Sequence, residues 1–141
     1  MTSEDLARAY IRKARARLGA LAHLRDAGDH SDVVREAQEL VELALKAMLR
    51  AVGIEPPRVH DVGGLVLEHA ARFPADLRAR LGRAAQASER LRQERERAFY
   101  GDVDFIPTEE YTAEESKQAY DDAALVLTLA EEAVGGLRGQ D

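Results

Sequence analysis

The sequence predicts an all-α fold, an up-and-down bundle of about five helices forming one domain over residues 1–141. Three observations carry that expectation. Apolar residues fill 45% of the positions but aromatic ones only 5%, so the core has to be built from Leu, Ala and Val, the usual stock of helical bundles. Apolar residues recur at three- and four-residue spacing along most of the chain. No segment alternates polar and apolar residues with β-branched enrichment, so no sheet is expected.

The elements follow in order. A first helix is predicted from about Glu4 to Ala27, with Thr2 or Ser3 as N-cap, an apolar face from Leu6 to Leu24, and Gly28 as its stop. The second starts near Ser31 or Asp32 and carries the widest apolar surface, from Val33 through Leu40, Leu45 and Leu49 to Val52, before Gly53 and Pro56-Pro57 end it. A short third helix, Val62 to Arg72, is bracketed by Asp61 and Pro74. The fourth begins at Pro74, whose fixed φ suits a first turn, and ends near Phe99 or Tyr100 before Gly101. Residues Asp102 to Tyr111 lack helical period and contain Pro107, which predicts an ordered loop pinned by Phe105, Ile106 and Tyr111. The fifth helix opens on Thr112 and Glu115, spaced as a capping box, and runs to about Val134, with a frayed tail expected from Gly135-Gly136.

Composition excludes several classes of function. Without cysteine there are no disulfides and no thiolate metal sites, and a cytoplasmic home is favoured. The first residues lack the basic head and apolar run of a signal peptide, and nothing approaches the roughly 20 apolar residues of a membrane span, so no membrane association is expected. The four histidines, His23, His30, His60 and His69, show no metal-binding spacing, so no metal is expected. A Gly-rich phosphate loop and a nucleophile elbow are also missing, and no cofactor is expected. The net charge of −6 argues against a DNA binder. The charge is uneven, however: Leu77 to Arg97 holds seven Arg against three Glu, while Asp102 to Asp122 holds eight acids against one Lys. Such neighbours can neutralise each other internally or build a local anion site.

The fourth helix holds the main candidate. Positions 77, 81, 84, 88, 91, 95 and 98 follow a four-three spacing, the mark of a seam facing other helices. Leu77, Leu81, Ala84, Leu91 and Ala98 fit it, whereas Ser88 and Arg95 do not. A guanidinium facing a packed seam needs an acid, an anion or a wet cleft, which makes Arg95 the first functional candidate and suggests that the end of this helix, Ser88 included, lies in a homodimer contact. Arg92, Arg95, Arg97, Tyr100 and Asp102 form the candidate ligand or anion site. The plainer reading makes Arg92 and Arg97 a solvated face paired with nearby acids, and makes Arg95 a clamp on one of Asp102, Asp104, Glu109 or Glu110. For His60 and Asp61 the plainer reading is a loop histidine beside an N-cap carboxylate.

Three parts of the chain, taken in order, resemble the HEPN domain family, the prokaryotic helical family often encoded beside a minimal nucleotidyltransferase: the helix stretch Val34 to Leu49, Pro57-Arg-Val-His-Asp61, and the Arg-rich end of the fourth helix running into Tyr100-Gly-Asp102. The resemblance implies a HEPN-like bundle, a nucleotidyltransferase partner and a module of toxin-antitoxin type. It also implies where chemistry would sit. RNA-cutting members carry an Arg followed after four to six residues by His, in a cleft where two protomers meet, with the Arg on the phosphate and the His moving a proton. Here Arg95 is followed after four residues by Tyr100, and Arg95 and Tyr100 are the catalytic candidates. A phenol with a reference pKa of about 10 is a poor neutral-pH base, so a noncatalytic or regulatory role is expected. The alternatives are a metal-independent ribonuclease with an Arg/Tyr site, and a helical module binding a nucleotide, RNA or other phosphate ligand.

Overall fold

A computed structural model describes residues 2–58, 61–100 and 111–138, the side chains of residues 95–100 and 136–138 excepted. The described chain is all-α, without strands. Helix α1 spans Ser3–Asp26, α2 His30–Ala51, α3 Val62–Glu68, α4 Ala75–Arg78, α5 Leu81–Tyr100 and α6 Ala113–Arg138, with a 3₁₀ turn at Ala70–Arg72 between α3 and α4.

α2 is the centre of the bundle and packs against α1, α3, α5 and α6. Twelve of its 22 residues are buried, including Val33, Val34, Leu40, Leu45, Met48 and Leu49, so its apolar surface wraps well beyond a single stripe. α1 buries only Ala7, Ile11, Ala14 and Leu21, the narrow face of a helix lying on the outside. Gly28 (φ 78°) and Gly53 (φ 82°) end α1 and α2 in the left-handed region, where a Cβ would be strained. At the start of α1, Thr2 and Asp5 form a full capping box.

Several boundaries differ from the sequence expectation. α2 begins at His30 with Asp29 as N-cap, earlier than Ser31 or Asp32, and Ser31 is buried instead. The short helix stops at Glu68 because Pro74 holds Phe73 extended (ψ 154°), so only a 3₁₀ turn fits before it. The fourth predicted helix is two: the chain tightens at Arg80, whose N–H donates to the Leu77 carbonyl at 3.0 Å, and α5 then starts at Leu81. The seam passes through the break intact, since Leu77, Leu81, Ala84, Ser88 and Leu91 are all buried. α6 continues through Gly135 and Gly136 to Arg138 rather than ending near Val134. Two helical glycines cost about 1 kcal/mol each, less than the anchoring by buried Leu129, Ala130 and Val134 supplies.

Ser88 also has a different role from the one expected. It is only 5% exposed within the single chain, and it faces Gly63 on α3: a Cβ on Gly63 would lie 3.3 Å from Ser88 Cβ and 3.1 Å from Ala85 Cα. A small residue is required there because α3 and α5 nearly touch. Ser88 is thus explained by packing inside the protomer, without a second copy.

Candidate functional site

α5 and α6 run antiparallel and, among the described residues, are tied by the ion pairs of Arg80 and Arg90. Arg80, just ahead of α5, binds Glu132 through both guanidinium nitrogens Nη1 and Nη2, the first at 3.0 Å. The same contact raises the arginine pKa and lowers the glutamate pKa, hydrogen bonding being the main cause in both cases. Arg90 forks onto Asp122, with Nε donating to Oδ2 at 3.0 Å and Nη2 to Oδ1 at 2.7 Å. Asp122 is 7% exposed and accepts a third donor, Gln118 Nε2, at 3.0 Å. A nearly buried carboxylate is tolerated there because its oxygens are filled by charge-assisted and amide donors.

Beyond this pair the helices part into an open cleft of about 140 Å³. Val34, Leu91 and Ala119 give it an apolar floor, and Arg90, Glu94, Glu115, Gln118 and Asp122 a polar rim. Tyr111, 5% exposed, closes one side: its hydroxyl lies 2.8 Å from the Glu94 carbonyl oxygen and 3.0 Å from Glu94 Oε2, and its single proton serves one of them at a time. Thr112 then caps α6, its Oγ1 accepting from the Glu115 N–H at 3.2 Å and its hydroxyl donating to the Glu115 carboxylate at 3.3 Å. The chain re-entering at residue 111 is therefore fastened to α5 one position before Arg95.

The predicted site residues fall on both sides of the described boundary. Arg95, Arg97 and Tyr100 lie on the final turns of α5, but their side chains are outside the described residues, as is all of Asp102. Arg92 is described. Its Nη2 stands 3.5 Å from Asp61 Oδ1, while the other duty of Asp61 is to cap α3 by accepting the Gly64 N–H at 3.0 Å. Arg92 thus bridges α5 to the start of α3, and with both side chains about half exposed the pair stabilises by less than about 1 kcal/mol. His60 lies outside the described residues.

The described rim holds three carboxylates and one guanidinium, and that guanidinium is engaged. It suits a neutral or cationic group better than a phosphate; positive charge for an anion would have to come from the last turns of α5. Among the described residues no group of three or more acids and histidines is placed to hold a metal. Nor is any described helix long and apolar enough to cross a membrane.

The model of the HEPN domain family matches residues 7–133, most of the chain. The protein belongs to the HEPN domain family. No match was found among curated proteins. Within the HEPN bundle the described cleft lies directly beside the helix end that the sequence singled out, and Glu94 joins the two. Sequence reading passed over Arg90, Asp122 and Gln118, and it placed Tyr111 as a loop anchor without its partner. A signal existed, since the basic run around Arg90 and the acidic run ending at Asp122 are complementary; the pairing itself needed the α5–α6 register.

Proposed function

We propose that this HEPN protein is a noncatalytic or regulatory member that acts as a homodimer, binds a nucleotidyltransferase and forms one half of a toxin-antitoxin-type module in the cytoplasm. The observation that carries the reading is Tyr100, separated from Arg95 by four residues, where RNA-cutting relatives of the resemblance have a histidine. No histidine follows His69, and in the cleft beside the α5 end Asp122 is held by Arg90, the Glu94 carboxylate lies within hydrogen-bond distance of the Tyr111 hydroxyl and Glu115 accepts from Thr112. The homodimer rests on the family resemblance and on Arg95 in the seam; Ser88 no longer contributes to it.

The test is RNA cleavage by purified protein with EDTA present. The unmodified chain is expected to cut slowly or not at all, Tyr100→His to gain metal-independent cleavage, and Arg95→Ala to remove that gain. Robust cleavage by the unmodified chain, lost in Tyr100→Phe, would replace this reading with that of a ribonuclease using an Arg/Tyr pair, which the Arg95–Tyr100 spacing favours as the second reading. Copurification from the source organism tests the partner: a nucleotidyltransferase should be retained, and its retention should weaken in Arg95→Ala.

A further inference from the structure

α1 carries Arg8, Arg12 and Arg15, spaced i, i+4 and i+7, so the three guanidinium groups share one helix face. That face lines a second cleft, about 200 Å³, between α1 and the end of α6, with buried Ile11 and Val134 as its floor. From α6 it receives one acid, Glu131, and Gly135, at which even an added Cβ would meet nothing within 4 Å. On a protein of net charge −6, the lining sets three cations against one anion, and even with Glu4 on Arg8 the group stays net positive.

The simplest account is a solvated stripe whose aliphatic stems shield Ile11. It leaves the charge unexplained. Arg8 and Arg12 are like charges at i, i+4, and Arg12 and Arg15 at i, i+3, arrangements that weaken a helix rather than support it. Arg8 is held by Glu4 through Nη2 alone at 2.7 Å, and Arg15 by Glu131 through Nη2 alone at 3.2 Å, so most of the five donors on each remain. Arg12, exposed between them, has no ion-pair partner among the described residues. We propose that the α1–α6 cleft binds a phosphate ester through Arg12, with Arg8 and Arg15 as flanking donors. Guanidinium forks match phosphate oxygens in pairs, and the space is several times the ~30 Å³ share of one water. A nucleotide and an RNA strand offer the same chemistry. The site stands apart from the α5 end and does not depend on the function proposed above.

The test measures binding of inorganic pyrophosphate by calorimetry and of a fluorescein-labelled single-stranded RNA decamer by anisotropy, at low and moderate salt. The wild type is compared with Arg12→Ala and with Arg83→Ala, which removes the same charge from an exposed position on α5. Arg12→Ala should weaken binding roughly fivefold or more while Arg83→Ala leaves it unchanged, with circular dichroism showing the same helical content in all three. Loss for both probes assigns the site to a phosphate group as such, and loss for RNA alone assigns it to a strand. Equal weakening by both substitutions, indifference to Arg12→Ala, or no binding of either probe overturns the proposal.

Discussion

α2 and α5 are neighbours of similar length built on opposite plans. α2 buries residues around much of its circumference and meets four other helices. Among its described side chains, residues 81–94, α5 buries a strip one or two side chains wide, Leu81, Ala84, Ala87, Ser88 and Leu91, and sets charges on both sides of it. The first arrangement leaves its twelve buried positions unable to shrink without opening a void. The second leaves the flanks of the seam for pairing, as Arg90 and Arg92 show, so a helix of this kind can exchange its chemistry while keeping its place in the bundle.

The largest effect that would sharpen the contrast comes from truncating one core leucine on each helix. Leu45 is fully buried, and Leu45→Ala should cost about 3–5 kcal/mol; Leu91 lines the α5–α6 cleft, where water can enter the space left, and Leu91→Ala should cost about 2 kcal/mol. Denaturant unfolding of both variants decides it, and equal costs would remove the distinction. Because Leu91 is buried within the protomer, Leu91→Asp should unfold the chain rather than split a folded dimer.

Glycines give the next comparison. Gly63→Ala drives a Cβ against the Ala85 backbone and should destabilise by about 1–2 kcal/mol despite better helix propensity, whereas Gly19→Ala, with nothing within 4 Å, should stabilise by up to about 1 kcal/mol. Two shifts of the same sign would mean that the α3–α5 approach is less tight than described. On the polar flank, Asp122→Asn keeps the shape but removes the charge facing Arg90, and should lower stability by about 1–2 kcal/mol, an effect that shrinks in high salt because Arg90 is half exposed.

The smallest effect belongs to the start of α2. Burial first, and the neighbouring Asp29 second, raise the Asp32 pKa above 3.8, partly offset by Arg35 at 3.4 Å. The folded state then holds this proton more tightly than the unfolded one, so the stability linked to it is full below the unfolded value and is lost as pH rises through the folded one. Asp32→Asn should therefore raise Tm slightly at about pH 7, with the gap closing below about pH 4. A gap that persists in acid would point to a cause other than titration.

Much of this contrast was legible in the residues. The apolar spacing of α2 and the seam from Leu77 to Leu91 identified the buried positions, and Thr2, Gly28, Gly53, Asp61 and Thr112 marked helix ends through local chemistry alone. What periodicity could not show was tertiary. Ser88 looked like an intruder because the glycine opposite it is 25 positions away in sequence. The break at Ala79-Arg80 preserves the seam and so leaves no mark in the pattern. Of the candidate site, the helix was readable, while the side chains of Arg95, Arg97 and Tyr100 lie outside the described residues; the clamp on Asp122 and the Tyr111–Glu94 contact depend on how two distant segments align.

That alignment has its own measuring device. Arg80 and Arg90 stand ten positions apart, and so do their partners Glu132 and Asp122 on the antiparallel helix, so both pairs describe one registration at points about 15 Å apart. Sliding either helix by a turn would break both contacts together, like a key with two teeth. The join between the helices is thus gauged by the helices themselves.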